Sequence, residues 1–254
     1  MRYNKQISLK NIGIKGQKKL DKSFVALVGL GALGSHSASL LARAGINLIL
    51  IDRDIVELDN LQRQELYTEK DVGKEKALVT YQHLKEINSS IKVEYYVTEL
   101  NHKNLKILDK SNLILDCTDN LETRFLINEY SISKNKPWIY TGIIANQGMI
   151  LSFNNSYCFN CIFKEPDESI ETCDTLGLNN AVASLFSSLQ VNESIKILVS
   201  GKNTQEMIYF DMESLDFKKI KVNKNLKCKT CNKEFSYING KKKSNFVKLC
   251  GKDS

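Results

Sequence analysis

The sequence predicts an α/β fold, with a Rossmann-like nucleotide-binding half built on a mostly parallel sheet and continuing into a mixed or antiparallel half that holds a structural zinc site. Three observations predict it. Apolar runs of strand length alternate with stretches of helical period through the first 140 or so residues. A Gly29-Leu30-Gly31-Ala32-Leu33-Gly34 loop lies where the first strand gives way to the first long helix. Two Cys-x-x-Cys pairs, Cys158/Cys161 and Cys228/Cys231, recur far downstream.

Residues 24–28 form an apolar run that enters the glycine loop, and residues 33–44 carry apolar positions at Leu33, Leu40, Leu41 and Ala44, which predicts a helix. A second buried strand over 48–51 ends at Asp52 and completes a βαβ unit. Next come a helix over 74–87, a strand over 93–97, a short helix near 103–108, a strand over 113–116 and a helix over 121–133. Pro137 opens a further strand toward Thr141. Beyond Gly142 the pattern changes to strands at 149–153, 207–210 and 217–222, with a long apolar helix over 180–199 between the first two. Residues 164–176 combine charges and Pro166 without apolar periodicity and predict an exposed loop. The chain thus divides into a nucleotide-binding half (1–142), a partner-binding and zinc half (143–234) and a C-terminal extension (235–254) whose fold the pattern does not define.

Composition sets the outer bounds. A chain of 254 residues that is 42% hydrophobic can build one large α/β core. No apolar run reaches bilayer length, and the polar N-terminus has no signal-peptide core behind it, so a cytosolic protein with no membrane association is expected. Seven cysteines, four of them in metal-ligand spacing, predict zinc and free thiols rather than a disulfide framework. The net charge of +7 comes with lysine clusters at 218–229 and 241–243, read as solvated faces; an acidic protein partner or a nucleic acid is the minority reading.

The glycine loop lets a phosphate approach the backbone through Gly29, Gly31 and Gly34 and meet a helix N-terminus, where unpaired N–H groups favour an anion. Asp52, at the end of the second strand, suits the hydroxyls of an adenosine ribose. Up to that point NAD is the default cofactor. The following segment, Asp52 to Gln64, is dense in polar groups that hydride transfer does not need. Arg63 can neutralise charge on a triphosphate, Asn60 and Gln64 can donate hydrogen bonds to it, Lys76 on the next helix can reach a phosphate, and Asp54 stands with them as a cofactor-binding candidate. Asp119, in the Asp116-Cys117-Thr118-Asp119-Asn120 cluster after another buried strand, falls on the same sheet edge and can hold Mg²⁺. Cys117 itself reads as core packing, and His36, His83 and His102 as structural or surface residues.

With these residues in place the chain resembles the ThiF/MoeB/HesA group, prokaryotic relatives of ubiquitin-activating enzymes. The resemblance rests on Arg2 to Gln6, the Gly29 to Gly34 loop with Ser35, Asp52 to Gln64, Gly73 to Lys76, Asp116 to Asn120, Thr172-Cys173 and both cysteine pairs. It implies a homodimer that uses ATP and Mg²⁺ to adenylate the C-terminal Gly-Gly of a small ubiquitin-like sulfur-carrier protein, in thiamine, molybdopterin or tRNA-thiolation sulfur transfer. Carried over to this chain, it gives Asp52 the ribose, Arg63 and Lys76 the phosphates, and Asp119 the magnesium and the reacting centre. Lys5 stands where similar proteins carry an arginine that reaches the other subunit's nucleotide; a lysine keeps the charge and loses the planar fork. Cys173 occupies the loop where some relatives bond covalently to the carrier or to sulfur, and its other reading is an exposed thiol. No rhodanese-like domain follows the second cysteine pair, so a separate sulfur donor protein is expected, and Cys250 has no assigned role. Three alternatives use different tests: adenylation of a peptide C-terminus in antibiotic biosynthesis, a catalytically silent nucleotide-binding scaffold, and an NAD oxidoreductase.

Overall fold

The computed structural model describes residues 2–154, 156–164 and 177–242. One eight-stranded sheet runs through them, in the order β3-β2-β1-β4-β5-β6-β7-β8. Its strands are β1 (Phe24–Val28), β2 (Asn47–Asp52), β3 (Val93–Val97), β4 (Leu113–Asp116), β5 (Trp138–Ile144), β6 (Gln147–Phe153), β7 (Glu206–Asp211) and β8 (Asp216–Lys221). The first five are parallel, and β6, β7 and β8 continue antiparallel. β1, β2 and β4 are covered on both faces and are apolar almost throughout, as parallel strands between helix layers require.

Seven helices are described: α1 (Asn4–Ile7), α2 (Gly13–Leu20), α3 (Ala32–Arg43), α4 (Lys76–Ile87), α5 (Leu121–Lys134), α6 (Phe159–Ile162) and α7 (Asn180–Ser200). α3, α4 and α7 cover one face over a core that includes Leu27, Leu41, Leu50, Leu84 and Phe186. The other face holds an aromatic core of Phe125, Trp138, Tyr140, Phe153, Phe159 and Tyr237 beneath α5 and α6. α7 packs against α3 and runs across β4, β5 and β6, so it joins the parallel and antiparallel parts of the sheet.

Most predicted elements lie within two residues of their observed ends. α1 and α2 were not predicted, because four residues of α1 are too few to show a period and α2 opens on Gly13 in the left-handed region (φ 59°). The short helix expected near 103–108 is a 3₁₀ turn at Leu105–Leu108. The loop expected over 164–176 lies almost wholly outside the described residues, and so do Cys173 and Cys250. Among the described residues no helix is long and apolar enough to cross a membrane.

Candidate nucleotide and metal sites

β1, β2 and β4 all point their carboxyl ends at the same edge of the sheet, and the loops that leave them carry the predicted site residues. This is the edge at which doubly wound sheets bind ligands. In the first loop Gly29 has φ 90°, and a Cβ on it would sit 2.7 Å from the Cys117 carbonyl oxygen; a Cβ on Gly34 would overlap the Gly29 carbonyl. Those two glycines are demanded by close packing of loop, helix and β4. Gly31 differs: a Cβ there would meet only Gln64 Nε2, at 3.9 Å, so the space in front of it is open. Gly31 is also the N-cap of the twelve-residue α3, and no side chain caps that end. Open backbone N–H groups at a helix N-terminus, next to glycine, fit a phosphate.

Asp52 is nearly buried. Leu30 N–H donates to its Oδ2 at 2.6 Å and Asp54 N–H to its Oδ1 at 2.7 Å. Burial pushes its carboxyl above the usual range, against the pull of Lys76 and of these two N–H donors. The carboxylate therefore joins the glycine loop to the start of the polar segment, and each oxygen keeps a further lone pair for a ribose hydroxyl. Lys76 opens α4, is buried, and sets its Nζ 3.7 Å from Asp54 Oδ2. The Lys76 N–H donates to the Asp54 carbonyl at 2.9 Å, which pins the two residues together through the backbone as well.

Asn60 and Gln64 are buried beside the loop. Asn60 Nδ2 donates to Asp59 Oδ1 at 2.7 Å. Gln64 Oε1, like Ser35 Oγ at the start of α3, is buried without a protein partner. A buried polar atom left unpaired costs about 1–3 kcal/mol, so a ligand that pairs these atoms gains that much on binding. Arg63 is half-buried and donates to the Asp59 carbonyl at 2.9 Å.

Asp119 follows β4. Burial raises its carboxyl pKa, and the negative charges of Asp54 and Asp116 act in the same direction while Arg124 opposes them. Asp52, Asp54, Lys76 and Asp119 are thus linked electrostatically at one edge. Crowded carboxylates are the donor set that a divalent cation relieves, and oxygen ligands of this kind suit Mg²⁺.

Lys5 is placed elsewhere. α1 sits at the far end of α3, where Gln6 Nε2 donates to the Ala44 carbonyl at 3.0 Å and Asn88 Nδ2 donates to Tyr3 Oη at 2.9 Å. Twelve residues of α3 separate that end from the glycine loop, about 18 Å at helical rise. An exposed Lys5 at that distance does not serve its own chain's nucleotide loop.

The four cysteines of the two pairs converge. Their Sγ atoms lie within 4.8 Å of one another, with Cys158–Cys228 and Cys161–Cys231 at 3.5 Å and Cys158–Cys161 at 3.9 Å. A tetrahedral zinc with Zn–S bonds of about 2.3 Å requires sulfur–sulfur distances of about 3.8 Å, so the cluster fits that ion with no open position. α5 supports it from below: Phe159 N–H donates to Asn128 Oδ1 at 2.9 Å, and Asn128 Nδ2 donates to Asn160 Oδ1 at 2.7 Å. The next residue of α5, Glu129, accepts from the N–H groups of Ser236, Tyr237 and Ile238, and so holds the chain just past the second pair.

Three residues that shape the nucleotide edge have no signature in local sequence. Arg124 Nε donates to Asp116 Oδ2 at 3.0 Å, its Nη2 donates to the Thr118 carbonyl, and its guanidinium lies 5.1 Å from the Tyr140 ring centre. Gln190, fully buried on α7, donates through Nε2 to the Asp116 carbonyl at 3.1 Å and to Thr141 Oγ1 at 3.0 Å, while its Oε1 accepts from Ser37 Oγ at 2.8 Å. Tyr67 donates its hydroxyl to the Leu30 carbonyl at 2.8 Å. Two of the three histidines take structural places, His36 against the Ala32 carbonyl and Ser184, and His83 against Asp71 at 3.0 Å. Cys117 is buried, as its position after β4 suggested.

Comparison with known proteins places this geometry in a family. The model of the ThiF family matches residues 3–231. The adenylyltransferase and sulfurtransferase MOCS3 of Aedes aegypti is 36% identical over 239 residues, which cover 91% of this chain and 55% of that protein. The sulfur carrier protein ThiS adenylyltransferase of Escherichia coli K12 is 34% identical over 238 residues, covering 91% of this chain and 94% of that protein. The chain therefore spans about half the length of these MOCS3 relatives, at 52–55%, and nearly the whole of the E. coli protein. Among solved structures, E. coli MccB with MccA-N7isoASN superposes with a TM-score of 0.80 over 91% of this chain and 75% of that chain, at 23% identity. That likeness is one of fold.

Proposed function

The chain belongs to the ThiF family, and from that premise we propose that it is an adenylyltransferase for the C-terminal glycine of a small ubiquitin-like sulfur-carrier protein, using ATP and releasing pyrophosphate. The observation that carries this reading is the convergence of the open Gly31 N-cap, Asp52, the Lys76–Asp54 pair and Asp119 on one sheet edge. In the reaction a carrier carboxylate oxygen forms a bond to the α-phosphorus as the bond to the pyrophosphate oxygen breaks. The attacking group is already charged, so no general base is needed. The protein's task is to hold two anions together and to stabilise the departing pyrophosphate.

In this reading α3 and the glycine loop bind phosphate, Asp52 holds the ribose, and Arg63 and Lys76 supply positive charge to the phosphates. Asn60 and Gln64 donate hydrogen bonds. Asp119, with Asp54, would hold Mg²⁺, which neutralises phosphate charge when bound. Cys158, Cys161, Cys228 and Cys231 would hold a structural Zn²⁺ that fixes the chain past residue 228 to α5. Lys5 acts across a homodimer on the partner's nucleotide, since its own loop is out of reach. Cys173 takes over sulfur or carrier chemistry after adenylation. A sulfur donor protein supplies the sulfur, in the cytoplasm.

ATP–pyrophosphate exchange with a panel of Gly-Gly carriers, drawn from thiamine, molybdopterin and tRNA-thiolation pathways, tests the proposal and names the pathway. Exchange that depends on one carrier and is lost in Asp119→Ala supports it. Exchange driven by a short peptide but by no carrier would transfer the activity to peptide C-termini and overturn it.

A further inference from the structure

We infer that Tyr67 is a positioning residue for nucleotide binding: its hydroxyl sets the Leu30–Gly31 peptide so that the Gly31 N–H faces the phosphate. The inference rests on the nucleotide reading of the glycine loop given above. Leu30 is gripped from both sides. Its N–H donates to Asp52 Oδ2 at 2.6 Å, and its carbonyl accepts from Tyr67 Oη at 2.8 Å. A trans peptide is planar, with C=O and N–H on opposite sides, so a carbonyl fixed toward Tyr67 turns the Gly31 N–H the other way. The Gly31 Cα also borders open space, since a Cβ there would meet only Gln64 Nε2 at 3.9 Å. Among the described residues the Gly31 N–H donates to no protein acceptor.

The hydroxyl is held in this role by its surroundings. Tyr67 is buried, and Thr80 Oγ1 lies 2.9 Å from its oxygen. A phenol has one proton, so with that proton given to Leu30 the Thr80 hydroxyl is the donor in the second bond. Burial pushes the phenol pKa far up, which keeps the proton in place at any working pH. The backbone carries the link onward: Tyr67 N–H donates to the Gln64 carbonyl at 3.1 Å, and Gln64 N–H to the Asn60 carbonyl at 3.0 Å. The 60–67 turn therefore latches onto the glycine loop through Tyr67, and a mis-set latch would show first in nucleotide affinity.

The test is direct ATP–Mg²⁺ binding by calorimetry to the full chain, with no carrier present, for the parent, Tyr67→Phe and Thr80→Val, with thermal midpoints for all three. Tyr67→Phe keeps the ring and its packing and removes the hydroxyl, both the donor to Leu30 and the acceptor for Thr80; loss of the Leu30 bond corresponds to a roughly three- to tenfold weaker Kd, and Thr80→Val controls for the Thr80 bond. Thr80→Val leaves the Tyr67 proton on Leu30 and should bind ATP within about twofold of the parent. Unchanged affinity in Tyr67→Phe, or an equal loss in both variants, would overturn the inference and leave Tyr67 a residue of stability alone. A parent that binds no ATP would instead remove the nucleotide reading on which the inference stands, an outcome distinct from either.

Discussion

Removing Arg124 tests how the Asp119 loop is built. Asp116 is fully buried at the end of β4, and Arg124 is its one cationic partner among the described residues, at 3.0 Å with both side chains nearly inaccessible. Burial raises the Asp116 carboxyl, and Arg124 with the Thr118 hydroxyl and N–H opposes it. Arg124→Gln strands the carboxylate. Breaking one partner of a buried pair costs about 3–5 kcal/mol. Asp116 keeps its two bonds from Thr118, at 2.7 and 3.0 Å, so the lower figure of about 3 kcal/mol applies, and a chain of this size then loses roughly 6–12 °C in thermal midpoint. The pH dependence has a definite sign. Without Arg124 the folded pKa of Asp116 stands further above its unfolded value, the folded state binds more protons, and stability rises as pH falls from 7. The deficit of Arg124→Gln against the parent should therefore shrink toward acid pH. Adding Asp116→Asn removes the stranded charge, and the double variant should recover part of the loss, a coupling of about 1–3 kcal/mol. Differential scanning calorimetry on the four proteins at two pH values measures all of this. An Arg124→Gln midpoint within about 2 °C of the parent, or a double variant no better than the sum of the singles, would refute the argument.

Three further outcomes are expected. Gly34→Ala should fail to accumulate as folded protein, because its Cβ overlaps the Gly29 carbonyl, whereas Gly31→Ala should fold and lose ATP binding, because its Cβ occupies open space; equal behaviour in solubility and ATP titration would contradict the distinction. Metal analysis of protein purified without chelator should find one zinc per chain, and Cys228→Ser should lose the metal and speed amide exchange at 236–238, the N–H groups that rest on Glu129. Slow exchange there in a metal-free chain would count against the clamp. Lys5→Arg should raise the adenylation rate by restoring a planar, multidentate donor, and a slower arginine variant would dismiss that role.

How far the sequence carries depends on the range of the interaction. β1, α3 and β2 are legible because each signal is local: an apolar run, a glycine spacing, an acid at a strand end. The cysteine cluster is legible although its halves lie 70 residues apart, because each half shows the spacing that a metal demands. The Asp116–Arg124 pair is eight residues apart across a loop and a helix start, and Gln190 reaches Ser37 over 153 residues. No periodicity encodes either partner. Tyr67 lies 37 residues from the carbonyl it serves, and its hydroxyl reads in sequence as an ordinary aromatic position. β8 is legible as a strand by its length and β-formers, yet all six of its residues are exposed. Its lysines suit an edge strand that must not pair with another copy.

The placement of α7 bears on how two substrates can be brought together. Gln190 ties this helix to Ser37 on α3, to the end of β4 and to Thr141 on β5, while Glu193, one turn on, accepts from Ser152 on β6 at 3.2 Å and from the Thr204 N–H ahead of β7. The β5–β6 register continues unbroken from Trp138–Phe153 to Ile144–Gln147. Parallel and antiparallel strands therefore share one sheet and one buried polar brace, and separating them would expose Gln190 and Glu193 partners at about 1–3 kcal/mol for each group left unpaired. A hinge between the two regions is thus the costly route to closure. On the proposed reaction the carrier's carboxylate must reach the α-phosphate by the reach of its own tail, and the rate advantage comes from two anions held at fixed positions rather than from a closing of the sheet.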